Sequence, residues 1–139
     1  MGACQYLRKF IRHFSAIATP LHGLTKAKIQ FDWQSAHEKT FKLLKKKISE
    51  APVLALPNLQ RTFEVETDAS DYAMGAILIQ DGKSVEYQSE LFTGAVQNYS
   101  TYDKEFYALY QAIKHGRVYL LGKEIVAHFN HKPLEYLHV

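Results

Sequence analysis

Phe63-Glu64-Val65-Glu66-Thr67-Asp68-Ala69-Ser70 is the stretch on which the fold turns. Apolar or β-branched residues alternate with acids, and that β-prone alternation predicts a strand over Thr62–Thr67, with Asp68 at its end. Working outward, Ala73–Gln80 reads as a second, apolar strand. Asp81-Gly82 is a hairpin-turn dipeptide, and Lys83–Ser89 begins a third strand that could run on to Phe92. A helix is expected from about Ser100 to Tyr119, with Ser100 and Asp103 as a capping pair and Phe106, Leu109 and Ala112 or Ile113 as its inner stripe. Gly122 closes that segment, Lys123–Phe129 reads as a fourth strand, and Pro133 is expected to open a last short helix through Tyr136 and Leu137. Three strands, a helix, a strand and a helix predict an α/β domain (α+β, mixed sheet) with an antiparallel meander and one parallel crossover.

Upstream the pattern is helical. Leu7, Phe10, Ile11, Phe14 and Ile17 recur at three- and four-residue spacing, predicting a helix over 6–26 that Pro20 breaks or restarts. A second helix is expected from Gln34 to Ser49, with Phe41, Leu44 and Ile48 inside and Asp32 as its cap. Ala51-Pro52-Val53-Leu54-Ala55-Leu56-Pro57 then forms an extended connector. The expected division is a helical connection or thumb-like segment over 1–57 and a sheet domain over 58–139.

Composition narrows the function classes. The 139 residues are 47% hydrophobic and 22% charged, with a formal charge of +3 and a pI near 8.9, which permits a polyanion partner without requiring one. The single cysteine, Cys4, cannot form an internal disulfide and suits a reducing, intracellular setting, cytoplasmic or nuclear. No apolar run approaches the ~18 residues of a spanning helix, and the seven histidines lack the spacing of a zinc site. Lys42, Lys45, Lys46 and Lys47 cluster on the second helix, and Arg8, Lys9, Arg12 and His13 on the first. Either cluster could meet phosphates, although a solvated helix face is the simpler reading of the lysine run.

Three acidic or polar motifs carry the functional signal: Thr67-Asp68-Ala69-Ser70, Tyr99-Ser100-Thr101-Tyr102-Asp103-Lys104-Glu105, and His128-Phe129-Asn130-His131-Lys132. Taken singly, Asp68 reads as a strand-end turn residue and Glu105 as a first-turn helix acid. Together, and with Tyr6, Phe10, Ile11, Phe14, Ser15, Ile17, Ala18, Pro20 and Leu21, then Phe31-Asp32-Trp33, and Tyr119-Leu120-Leu121-Gly122, they resemble the RNase H domain and preceding segment of gypsy-type LTR retrotransposon reverse transcriptases.

That resemblance implies an RNase H-like fold, an RNA–DNA hybrid substrate and Mg²⁺ or Mn²⁺ if the domain is active, and no cofactor otherwise. It assigns Asp68 and Glu105 as metal ligands and places Asn130 where the family has a third, an Asp. The family's fourth ligand, on a final helix, lies beyond Val139, so the fold is expected to lack its last strand and helix. Two-metal hydrolysis needs hard, charged oxygen ligands, and an amide offers one neutral oxygen. Asp71 and Asp103 are nearby acids, but Asp103 points away from Glu105 on its helix and Asp71 suits a turn.

The expectation is therefore an inactive domain that binds protein or, weakly, nucleic acid, with Arg8, Lys9, Arg12, His131 and Lys132 as nucleic-acid contacts. The alternative is a divalent-metal-dependent ribonuclease H with a site completed by Asp71, a water shell or a second subunit. No membrane partner is expected. An unpaired fourth strand is expected to recruit a protein partner or a second copy of the chain.

Overall fold

The structure, a computed structural model, describes residues 2–129 and 132–138. It opens with α1 (Gly2–Leu7) and a 3-10 turn (Arg8–Phe10), followed by α2 (Phe14–Leu24) and α3 (Ser35–Ser49). The sheet domain comprises β1 (Phe63–Ala69), β2 (Ala73–Gln80), β3 (Lys83–Leu91), α4 (Thr101–His115), a single-turn α5 (Arg117–Leu120), β4 (Glu124–Phe129) and β5 (Lys132–His138).

The strands form one mixed sheet in the order β3-β2-β1-β4-β5. β1 pairs antiparallel with β2 and parallel with β4, with Phe63 opposite Ile125 and Val65 opposite Ala127. The α4–α5 segment carries the chain from the β3 edge back across one face to the far side of β1. Phe63, Val65, Met74, Ala76, Leu78, Ala108, Leu109, Ala112, Leu120, Ile125 and Ala127 form the core between that face and the helix. A second core, built on Ile11, Phe14, Ala18, Leu21 and Leu44, holds α2 against α3.

The hairpin and cap chemistry works as expected. Asp81 and Gly82 take φ of 52° and 72°, the left-handed pair of a tight β-turn. Ser100 accepts the Asp103 amide at 3.2 Å and so caps α4. Other expectations are corrected. Pro20 lies inside α2, and the break falls earlier, at His13, whose left-handed φ of 56° separates the 3-10 turn from α2. Gln34, not Asp32, caps α3: its amide donates to His37 Nδ1 at 2.9 Å, while Asp32 accepts from the Gln34 side chain. Phe106 is 54% exposed, and the buried side of α4 is Lys104, Glu105, Ala108, Leu109 and Ala112.

The largest correction concerns the C-terminus. Residues 132–138 form no helix: they pair antiparallel with β4, with Pro133 opposite His128 and Leu137 opposite Ile125. A segment this short gains little as an isolated helix, whereas the outer edge of β4 offers a row of unsatisfied backbone groups. Proline is tolerated there because β5 is itself an edge strand. The fourth strand is therefore not exposed as an edge, and it cannot recruit a protein partner or a second copy in the way expected. A strand does occupy the place beside β4.

Candidate functional site

Alternation along β1 sends Phe63, Val65 and Thr67 toward α4 and leaves Glu64, Glu66 and Asp68 on the opposite face. Each of these three acids meets a basic side chain. Glu64 Oε2 lies 2.8 Å from His128 Nε2 on neighbouring β4. Glu66 Oε1 accepts from Arg12 Nη2 at 3.0 Å, and Asp68 Oδ2 is 4.0 Å from His13 Nε2. Arg12 and His13 belong to the link between the 3-10 turn and α2, so the N-terminal segment lies across this face of the sheet.

Gly75, the register partner of Asp68 on β2, makes that approach feasible. A Cβ at position 75 would sit 2.7 Å from His13 Nδ1, so only glycine leaves room for the ring. Burial, reinforced by the charges of Arg12 and Lys47 and opposed by Asp68, lowers the His13 pKa below its usual 6.5. A neutral His13 accepts from Arg12 Nε at Nε2, 3.2 Å away, and its contact with Asp68 is therefore no charged pair at neutral pH.

Arg8 is held inward. Its guanidinium donates to Ser15 Oγ at 3.0 Å and to the Ser89 carbonyl, and lies over the Phe14 ring. The Ser15 amide donates to Ser89 Oγ and the Ser15 hydroxyl to the Ser89 carbonyl, both at 2.9 Å, so a buried polar clasp fixes α2 to β3. Lys9 is exposed above Tyr6 and Phe10.

Glu105 is buried on the sheet-facing side of α4. Its neighbour Lys104 is buried too, because its ammonium reaches the Asp71 carbonyl at 2.8 Å and lies over Phe92. Asp68 is thus an exposed residue of β1, and Glu105 a buried residue of α4. Asp103 is committed to the helix cap, accepting from Ser100 Oγ at 2.6 Å. Asn130 and His131 lie outside the described residues, and Lys132 opens β5.

Among the described residues no three His, Cys, Asp or Glu side chains are grouped to hold a metal ion. Of the family's expected ligands, the described residues supply two carboxylates, Asp68 and Glu105. The Arg12 guanidinium sits beside Asp68's neighbour Glu66, where it would oppose a second cation.

The family profile described as an RNase H-like domain found in reverse transcriptase matches residues 33–127. The chain belongs to that family. The Pol polyprotein of transposon 297 from Drosophila melanogaster is 36% identical over 139 residues, covering 99% of this chain and 13% of the relative. The corresponding polyprotein of transposon 412 from the same organism is 35% identical over 138 residues, covering 96% of this chain and 11% of the relative. A Tf2-3 polyprotein of Schizosaccharomyces pombe (strain 972) is 37% identical over 125 residues, covering 86% and 9%. The chain thus spans about an eighth or less of these relatives.

Among solved structures, a foamy viral protease–reverse transcriptase in complex with double-stranded DNA superposes with a TM-score of 0.80 at 22% identity, covering 91% of this chain and 23% of that one. The same viral protein in complex with an RNA/DNA hybrid gives 0.79, over 91% and 18%. At this identity the likeness is one of fold: this family member has the RNase H-like mixed sheet with helices before it.

The Glu64–Glu66–Asp68 row was visible in the alternation of β1, but its partners were not. Arg12 and His13 stand more than fifty residues upstream, and no local pattern links them to β1. Gly75 carried the one available signal, a glycine within an apolar strand, which marks a close approach.

Proposed function

We propose that this RNase H-like domain acts as a non-catalytic unit of a retrotransposon-type polymerase system that contacts nucleic acid through its charge. One observation carries the proposal: the face bearing Asp68 is overlaid by Arg12 and His13, with Arg12 paired to Glu66 at 3.0 Å. A hydrolytic site of this family's kind needs converging carboxylates around hard cations. Here the residues beside Asp68 are a guanidinium and an imidazole, and position 130 is an amide residue. The reverse transcriptases of similar fold, solved with duplex DNA and with RNA/DNA hybrid, support nucleic acid as the ligand class. In this reading residues 1–57 are a connection segment seated on the RNase H-like domain over 58–139.

The test uses a labelled RNA–DNA hybrid with Mg²⁺ or Mn²⁺, in parallel cleavage and anisotropy measurements, with Asp68→Asn as the comparison. Binding without cleavage above background, unaltered by Asp68→Asn, is expected. Cleavage that Asp68→Asn abolishes would establish a ribonuclease H instead.

A further inference from the structure

The net charge of +3 conceals a strong asymmetry. Residues 1–57 hold ten Lys and Arg against three Asp and Glu, whereas residues 58–139 hold seven against eleven, a formal +7 beside −4. The acidic part contains the Glu64–Glu66–Asp68 row, which without metal ions repels phosphate. Two N-terminal cations expected to greet nucleic acid are used elsewhere: Arg12 on Glu66 and Arg8 on the Ser15–Ser89 clasp.

Of the eight other N-terminal cations, five lie on α3. Thr40 and Leu44 are the buried side of this helix, and Lys39, Lys42 and Lys46, at i, i+3 and i+7, share the opposite side. Lys45 and Lys47 flank that stripe, and all five lysines are exposed. Among the described residues, no carboxylate pairs with Lys39, Lys45 or Lys47. Lys42 and Lys46 make only exposed same-helix pairs, at 3.4 Å to Glu38 and 4.0 Å to Glu50, which a polyanion can readily exchange. Lysines in the last turn also complement the helix dipole, but Lys39 and Lys42 precede that turn, so capping does not account for them. The stripe from 39 to 46 runs about 10.5 Å along the helix axis.

We propose that the solvent face of α3, centred on Lys39, Lys42 and Lys46, is the surface that contacts nucleic acid, and that its ligand is the phosphate backbone of a duplex. The ancestral carboxylate face takes no part. This rests on the nucleic-acid reading above and gives it a location. Contacts of this kind carry no base specificity and are released by salt.

The experiment measures anisotropy of a labelled RNA–DNA hybrid across a salt series. It compares the unaltered chain, a Lys39→Gln/Lys42→Gln/Lys46→Gln variant, and a control with the same charge change on the sheet domain, Lys83→Gln/Lys114→Gln/Arg117→Gln. Glutamine keeps helix propensity, and far-UV circular dichroism verifies the fold. Three lost phosphate contacts should flatten the plot of log affinity against log salt by about 2.7, equivalent to roughly 40-fold less weakening between about 50 and 200 mM salt. The control should change the slope by less than about 1.

Equal effects of the two triple variants would overturn the assignment to α3 while leaving nucleic-acid binding in place. Failure of the unaltered chain to bind at low salt would overturn the nucleic-acid reading itself. Anionic lipid vesicles that displace the hybrid at equal charge concentration would show a general anion surface and refute the duplex assignment.

Discussion

Gly75→Ala tests the seat of the N-terminal segment. The new Cβ would lie 2.7 Å from His13 Nδ1 and 2.9 Å from Cε1, well inside contact distance. The ring must move, yet its backbone is held at a φ of 56° and its Nε2 accepts from Arg12. Overpacking of this kind costs about 1–3 kcal/mol, and because an imidazole can swing on two torsions the cost stays below the upper end, at about 2 kcal/mol. Against it stands a gain of about 0.4–1 kcal/mol from the stiffer unfolded chain. The net expectation is a loss of about 1 kcal/mol, read from urea unfolding followed by circular dichroism. His13→Gly removes the ring and suits the left-handed backbone, so Gly75→Ala in that background should become neutral or stabilising by up to about 1 kcal/mol. The two substitutions should therefore couple by about 1–2 kcal/mol in a double-mutant cycle. Equal destabilisation by Gly75→Ala with and without the His13 ring would refute the seat of His13 on Gly75.

Phe63→Ala, at a fully buried position of the sheet core, should cost about 3–5 kcal/mol in the same assay. His115 has a raised pKa, chiefly because its ring nitrogen bonds Glu86 Oε1 at 2.9 Å. Its stabilisation is full below the ordinary value of 6.5 and is lost as pH rises through the raised folded value, so Glu86→Gln should destabilise more at pH ~5.5 than at pH ~8.5. Unfolding curves at the two pH values check the sign. Ending the chain after residue 131 should strip β5 from β4 and leave an unsatisfied edge. Hydrogen exchange at residues 125–129 should accelerate and light scattering should report association; unchanged protection would show that β5 contributes no pairing.

Much of the fold was legible because its signals are local. The alternation of Phe63, Val65 and Thr67 with acids sets which face of β1 is inside, Asp81-Gly82 takes the two left-handed conformations its turn needs, and Ser100 supplies the oxygen that caps α4. Each depends on residues within a few positions of one another. The identity of the acids at 64, 66, 68 and 105, and of the amide at 130, was likewise plain from the residues alone.

Only tertiary structure decided the rest. Pro133 suits the first position of a helix or an edge strand equally well, and the outcome depended on whether β4 had a free edge beside it. The inner stripe of α4 shifted from Phe106 to Lys104 and Glu105 because a lysine can be buried once its ammonium finds the Asp71 carbonyl. The pairing of Arg12 with Glu66, and the seat of His13 on Gly75, join chain segments far apart in sequence. Their interaction depends on the distance between them in space, which no periodicity encodes, so the sequence determined which charges exist and the fold determined which of them are already neutralised.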